Sequence, residues 1–420
     1  MYDVTIVGGS LAGCSAAILL GRAGLKVAVL EAHKDPEHYK RLCTATIRSS
    51  ALPTLQRLGL ADKIAEAGGM PCHDAFHGDD GWILDPGSKD WPAHGYNLQR
   101  PKLDPLVRRE AAETPGVDMI LGAKVVELAR GPHGRVTGVV AKVDGKKELF
   151  SSRLVIGADG RSSTVADLAG MESRKSANDR FVYFAHYKGI EVRPKETLRA
   201  WFDMPDVFLL ASFGDGTTVM AVAPDKRSFP EFEKDREAFL LAAFARLPDA
   251  PDTSNAERVS DMVGTKDYPN LNRKRIVTPG LALIGDAAMV NDPVSGVGCG
   301  FAFQSAEWLC DAVTGPLERG DAEAVDKALR GYQRSHRRRL SIHHFTIADL
   351  SKRKVLPPAI RMILAGGVTD PKVAERYVGV VTRNVSPLAL FAPPYLARAA
   401  KAARRTRSAA PGTPAAALSK

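Results

Sequence analysis

The sequence predicts an α/β protein in which a Rossmann-like nucleotide-binding unit is interrupted by an inserted β-sheet unit and followed by a helical C-terminal region. Three observations predict it. A glycine-rich turn, Gly8-Gly9-Ser10-Leu11-Ala12-Gly13, lies between a short apolar run and an alanine- and leucine-rich stretch. The block from Phe181 to Val222 carries Phe181, Tyr183, Phe184, Tyr187, Trp201, Phe202, Phe208 and Phe213 in a strand-rich pattern. From Val325 onward the chain reads as mainly helical.

A length of 420 residues exceeds the usual single domain, so one large unit and at least one smaller one are expected. Apolar residues at 45% and charged residues at 25% argue against both disorder and a membrane-spanning class. The small and apolar stretch Val4 to Leu20 lacks a basic leading region, so it reads as mature fold and not as a signal peptide. Five cysteines, an odd number with no CxxC pair, suit a reduced, cytoplasmic enzyme. The net charge of +10 gathers in Arg334 to Arg339 and Arg398 to Arg407 without an aromatic-studded reading surface, so no nucleic-acid partner is expected.

Taken in order, Asp3 to Val7 and Lys26 to Leu30 read as short buried strands around a helix from Ala12 to Ala23, a βαβ unit. Ala51 to Leu58 reads as a second helix. Gly68 to Gly95 changes character: Pro71, Gly78, Gly81, Pro86, Gly87 and Pro92 break it, and it is expected to leave the nucleotide-binding unit. The spacing of Leu103, Leu106, Val107 and Ala111 predicts a helix over Pro101 to Thr114. Val125 to Val143 reads as a β-meander with turns at Gly131 to Gly134, and Leu154 to Gly157 as a strand. Leu281 to Ile284 is a further short strand, followed by a helix from about Gly300 to Val313. The final Ala409 to Lys420, rich in alanine, proline and serine, is expected to be disordered.

The glycine turn meets the requirements of a dinucleotide site. Gly8 supplies the tight turn and Gly13 close helix packing, while Ser10 stands where a middle glycine is usual and remains small enough to let a pyrophosphate approach. The helix that starts with Leu11 and Ala12 aims its N-terminal amides at that diphosphate. Glu31, at the end of the second strand, is the acid expected on the adenosine ribose hydroxyls. Two later stretches extend the pattern: Leu154 to Ser163, containing Gly157-Ala158-Asp159-Gly160, and Leu283 to Ala288 followed by Asp292 to Gly298. In the last, Asp286 just past a strand can accept hydrogen bonds from ribityl hydroxyls, and its glycines let backbone approach a ring edge.

In this order GGSLAG, R-P-K-L-D over Arg100 to Asp104, GADGRSS, and GDAA with DPVSGVG resemble the large FAD-dependent superfamily of aromatic hydroxylases, flavin halogenases and geranylgeranyl reductases, over residues 1 to 400 or so. The resemblance implies a glutathione-reductase-type FAD-binding domain over 1–70, 96–178 and 262–335, a substrate-binding domain over 71–95 and 179–261, a helical region over 336–408 and a disordered tail over 409–420. It implies that Asp286 holds the ribityl chain, that Arg100 and the residues around Arg41 lie along the FAD, and that Pro293, Gly296, Val297 and Gly298 face the isoalloxazine. Val125 and Asp159 complete the expected cofactor contacts. The tail segments Tyr377 to Val380 and Val385 to Pro393 are similar to the end of a group of FAD-dependent monooxygenases. Two departures stand out. Ala166 replaces the arginine usual shortly after the DG motif, which bears on any nicotinamide donor, and the tryptophan-rich halogenase signature with its lysine is missing.

No side chain is named as acid or base, because the oxygen chemistry belongs to the reduced flavin, which can form a hydroperoxide. Cys43 sits close to where geranylgeranyl reductases carry a cysteine near their flavin, although it continues as CTAT where they continue as CGE. Its alternatives are a redox or proton-donor role and a buried structural thiol. Arg48 either approaches the flavin ring or caps a helix. Cys299 reads as a small filler in the flavin loop. His73 and His77, four apart, lack the acidic and histidine neighbours of a metal site, so no metal is expected. Half of the aromatic block reads as core and the rest as lining for an apolar pocket. Leu388 to Arg407 is either a basic amphipathic helix in peripheral contact with a membrane or a helix docked on the body.

The expected activity is an FAD-dependent monooxygenase that hydroxylates or epoxidises a bulky, largely apolar molecule, natural-product or lipid-like, with molecular oxygen. Its electrons would come from NAD(P)H or from a separate flavin reductase. The alternatives are a flavin-dependent reductase of polyprenyl double bonds and a flavin- or ligand-binding protein without catalysis.

Overall fold

Runs of β-branched residues that alternate with nothing polar demand cover on both faces, and the structure supplies it. Strands Tyr2–Val7 and Val27–Glu31 are buried almost throughout and flank helix Leu11–Arg22, whose small residues Ala12, Gly13, Ala16 and Ala17 press it close to the sheet. The computed structural model describes residues 1–408; the expected disorder of Ala409 to Lys420 lies outside the described residues.

Three sheets organise the described residues. In the first, the parallel order is Leu281–Leu283, Lys146–Gly157, Tyr2–Val7, Val27–Glu31 and Val117–Leu121. The expected strand Leu154 to Gly157 is only the last third of a 12-residue strand. Its first half, Lys146 to Ser151, pairs antiparallel with Val136–Val143, and its second half pairs parallel with Tyr2–Val7. That change of partner was hidden because the first half is polar and exposed, as one strand of the surface meander Lys124–Arg130 and Val136–Val143.

The second sheet has ten strands and carries the aromatic block as Val182–Lys188, Thr197–Asp203, Asp206–Ser212 and Thr218–Ala223. The Gly/Pro-broken segment contributes Met70–Gly78, which runs parallel to Thr197–Asp203 and carries Pro71 only at its second position. A third sheet of three short strands, Ser173–Ser176, Asn270–Arg273 and Met289–Val290, links the other two.

Alternation along these strands sorts the aromatics. Phe181, Tyr183, Tyr187, Trp201 and Phe208 face a core shared with helices Phe229–Phe232 and Arg236–Ala245, where rings meet at 4.7 to 6.1 Å. Of the block, Phe184 lines a cavity, so the expectation that half of it would do so is corrected: the pocket wall is made of aliphatic side chains instead.

The helix expected from Gly300 to Val313 runs from Gly298 to Glu318. Beyond it, helices Ala322–Leu350, Pro358–Thr369, Pro371–Val381 and Pro393–Ser408 complete the C-terminal region. The last one docks through Tyr395, Ala399, Ala402 and Ala403, with Arg398 paired to Asp370 and Arg407 to Asp80. Leu388 and Phe391 beside it remain exposed. No helix among the described residues is long and apolar enough to cross a membrane.

Candidate active site

The glycine turn is fixed by backbone contact. Gly8 has φ +109°, and a Cβ there would stand 2.5 Å from the Ala158 carbonyl oxygen; at Gly13 a Cβ would stand 1.9 Å from that of Gly8. Only glycine lets the strand end, the turn and the helix close in this way. Helix Leu11–Arg22 starts at Ser10 without a side-chain cap, so its first amides are left for a ligand. Helix Gly298–Glu318 likewise starts at Val297 without one.

Around the turn, charged side chains are buried and tied. Glu31 accepts from the Gly9 amide at 2.8 Å through one oxygen and from the His33 amide at 2.9 Å through the other. Helix Arg100–Glu113 sends Arg100, Asp104 and Arg108 to the same place, because a spacing of four keeps them on one face. Arg100 donates to Asp104 at 2.6 Å and to the Ser10 hydroxyl at 3.1 Å, while Arg108 donates to the Gly9 carbonyl at 3.0 Å and to that of His38 at 2.8 Å. Asp159 accepts from the Ser163 hydroxyl at 2.6 Å and the Val165 amide at 3.0 Å, and its burial raises its pKa. Ala166 is fully buried, its amide donating to Ser163, so the helical turn is capped from within.

These elements enclose a cavity of about 610 Å³. Gly8, Ser10, Leu11, Ala12, Glu31, Arg100, Val125, Asp159, Asp286, Pro293, Gly296 and Gly298 all line it. Gly13 and Val297 lie behind the wall, Gly13 in the helix contact and Val297 in a small core with Met289, Phe301 and Leu340. Arg41 is a correction. Its guanidinium pairs with Asp261 at 2.8 Å on the exposed surface, and the neighbouring Lys40 occupies the inward position, 2.6 Å from Asp286. Sequence reasoning missed Lys40, Arg108, Arg161 and Tyr268 on this wall. For Arg108 a signal existed, four residues beyond Asp104 on the same helical face. Tyr268, with Arg161 stacked 4.7 Å from its ring centre, comes from an irregular stretch with none; burial pushes its hydroxyl up to about 12.

Arg48 does not line the cavity, and it does not cap the adjacent helical turn. It is buried in an ion pair with Asp74, and its other nitrogen donates to the Ser295 carbonyl at 3.1 Å, bracing the Pro293–Ser295 turn from beneath. Cys43 and Cys299 both line the cavity, with their sulfurs 3.8 Å apart. The Cys299 thiol holds Cys43 well below the ordinary thiol range against the effect of burial, helped by Arg100 and Lys40; the same contact raises Cys299. His77 packs edge-on against Trp82, and His73 faces His94 at 6.2 Å.

A narrow apolar slit opens beside the large cavity, with Leu42, Cys43, Thr44 and Pro293 common to both. Its far wall is Val182, Phe184, Val207, Leu209 and Ala221 of the second sheet. Its volume is about 10 Å³, the threshold for one water.

The uncapped helix starts, the glycine contacts and the carboxylates Glu31 and Asp286 on the wall of one cavity fit a flavin dinucleotide. Comparison with known proteins agrees. A probable NADH-specific resorcinol 4-hydroxylase of Rhodococcus jostii is 30% identical over 176 residues, 40% of this chain and 33% of that protein, so the chain spans only a third of that relative's length. Squalene epoxidase erg1 of Schizosaccharomyces pombe is 24% identical over 363 residues, 83% of this chain and 77% of that protein. The structure of the flavin-dependent brominase Bmp2 superposes with a TM-score of 0.75 at 19% identity, covering 96% of this chain and 99% of that one, a likeness of fold. A family model described as FAD binding domain matches residues 1–341, most of the chain, which therefore belongs to that FAD-binding family.

Proposed function

We propose that the chain is an FAD-dependent monooxygenase that hydroxylates or epoxidises a bulky, largely apolar small molecule, with electrons from NAD(P)H or a separate flavin reductase. The observation that carries this reading is the apolar slit that meets the cofactor cavity at Leu42 to Thr44 and Pro293. A bulky apolar molecule would have to part the walls of this slit to enter, and apart from Cys43 the side chains it would meet there carry no charge. The squalene epoxidase relative, matched over most of its length, supports an apolar substrate, and the resorcinol hydroxylase supports NADH as donor.

The bound flavin would supply the two-electron and oxygen chemistry. This chain's residues would hold and shield it: the Leu11 to Gly13 amides for the diphosphate, Glu31 for the ribose, Asp286 for the ribityl hydroxyls. Amides at the start of helix Gly298–Glu318 would favour negative charge on the reduced ring. The narrow apolar slit would leave little room for water beside the flavin loop.

We assign residues 1–70, 96–178 and 262–335 to the cofactor unit and 71–95 and 179–261 to the substrate unit. The pairing of Met70–Gly78 with Thr197–Asp203 supports joining the two parts of the latter. The cytoplasm is the proposed compartment, supported by five cysteines with no disulfide among them. Peripheral membrane contact would use Leu388 and Phe391 beside the basic last helix, and liposome sedimentation with and without residues 398–420 tests it.

The deciding experiment incubates the flavin-loaded protein and NADH with squalene, and separately with resorcinol, under isotopically labelled oxygen. A product carrying one labelled oxygen atom is expected from the apolar probe. Saturated product formed without oxygen would overturn the monooxygenase in favour of double-bond reduction.

A further inference from the structure

Two of the five cysteines face each other across the join between cavity and slit. Cys43 and Cys299 are 256 residues apart in sequence, yet their sulfurs stand 3.8 Å apart, and both line the cavity that fits the flavin. The remaining thiols are of another kind. Cys14, Cys72 and Cys310 are buried and burial raises each of them, which makes them inert.

The surroundings of the pair favour a reactive state. The Ala45 amide points at the Cys43 sulfur at 3.3 Å, a contact that stabilises charge there. Cys299 occupies the first turn of helix Gly298–Glu318, whose amides carry partial positive charge. Lys40 and Arg100 stand on the same wall, each paired with a carboxylate, Asp286 and Asp104. The Cys43 sulfur in its thiolate form would stand in contact with the Cys299 thiol, and an acceptor that takes two electrons can join the two as a disulfide.

Closure is sterically within reach. The bond needs the sulfurs at about 2 Å, and the Lys40 to Ala45 segment is irregular, with Ala45 at φ +62°, so it is not tied into a helix or strand ladder at Cys43. Cys299, held in a helix, would be the fixed partner.

We infer that Cys43 and Cys299 form a reversible redox couple that exchanges two electrons with the bound flavin, an inference that rests on the FAD reading above. In the forward direction the Cys43 sulfur bonds to the Cys299 sulfur and the Cys299 S–H bond breaks. Two electrons, that proton and one more from solvent pass to the oxidised flavin, giving disulfide and reduced flavin. The reverse step restores the thiols at the expense of reduced flavin. The disulfide would lock the Leu42–Thr44 wall to the flavin-loop helix and fix the mouth of the slit, so the oxidation state of the pair would control entry of the apolar substrate.

The test has two arms. In the first, the purified full chain is treated with diamide or with dithiothreitol, unfolded and alkylated. Diamide should remove two of the five thiols, and peptide mapping should find Cys43 linked to Cys299. Five reactive thiols after diamide, or a link through any other cysteine, overturns the couple. In Cys43→Ser and Cys299→Ser diamide should remove none, and in Cys310→Ser it should still remove two.

In the second arm the dithiothreitol-reduced, desalted holoprotein is kept anaerobic with its oxidised flavin. Bleaching of the visible flavin band in step with loss of two thiols is expected, and absent in Cys43→Ser. A disulfide that forms with diamide while the flavin stays oxidised overturns exchange with the flavin. A chain that retains no FAD would sink the cofactor reading instead, and the diamide arm would still decide whether the pair closes.

Discussion

Lys40 and Asp286, 246 residues apart in sequence, meet at 2.6 Å on the wall of the flavin cavity. The ion pair ties the segment before Cys43 to the turn after strand Leu281–Leu283, so the last of the three cofactor-holding stretches is locked to a segment outside them. Asp286→Ala removes both this tie and the acceptor assigned to the ribityl chain. FAD affinity should fall about tenfold or more, on the scale of about 1.5–3 kcal/mol for a hydrogen bond to a charged group. Fluorescence titration of the apoprotein reads it, and unchanged affinity would remove Asp286 from the cofactor site.

Two glycines separate backbone packing from ligand space. Gly13→Ala would push a methyl into the Gly8 carbonyl, whereas at Gly298 a Cβ meets nothing within 4 Å. Gly13→Ala should yield a strongly destabilised or insoluble protein. Gly298→Ala should keep its melting temperature yet hold FAD more weakly, because the methyl projects into the cavity. Equal flavin occupancy in Gly298→Ala and the parent would show that the ring does not approach this helix start.

Arg48 and Asp74 are 3% and 5% exposed, so the loss of one strands the other as an uncompensated buried charge. Arg48→Met should destabilise by about 3–5 kcal/mol. Arg48→Met combined with Asp74→Leu should recover most of that by denaturant titration. The double variant should still turn over more slowly, since the Ser295 carbonyl has lost its donor and the flavin loop its brace. Additive losses in the pair would argue that the two residues act separately.

Three histidines on helix Ala322–Leu350 make stability acid-sensitive. Burial lowers His336, His343 and His344 from 6.5 to about 4, with Arg383 adding to the first two. The unfolded chain therefore binds more protons than the folded one between these values. The stability these neutral rings contribute is complete above pH 6.5, and it is lost progressively as the pH falls towards 4. Melting temperature should drop across that window. In His343→Phe the drop should be shallower, with little change at pH 8, and an identical slope in parent and variant would exclude this residue as a source.

The cofactor half of the site was legible because backbone geometry dictates its residues. A turn that brings one carbonyl to 1.9 Å of a missing Cβ tolerates only glycine, and Gly8 and Gly13 announce it. Glu31 was legible for the same reason, as a carboxylate at a fixed distance along a βαβ unit. Lys40 was not, since neighbouring basic residues in an irregular segment give no signal of which one turns inward, and Arg41 was expected there. The aromatic block misled through composition. Its rings alternate along strands, and only the three-dimensional placement of helices Phe229–Phe232 and Arg236–Ala245 says which face is core. The contact of Cys43 with Cys299 depends on long-range closure and leaves no trace in local pattern.

Glu31 accepts one backbone amide on each of its oxygens, from Gly9 and His33, so the turn is held in shape by the protein's own carboxylate rather than by the diphosphate it is built to receive. The cradle is then a template and not a product of loading. Stripped of flavin, the chain should retain its fold around the first helix, and reloading should proceed as one second-order step whose rate scales with added FAD, with no slower rearrangement behind it. The flavin content of the protein would then follow its supply in the cell, and turnover of the polypeptide and turnover of its cofactor would be independent events.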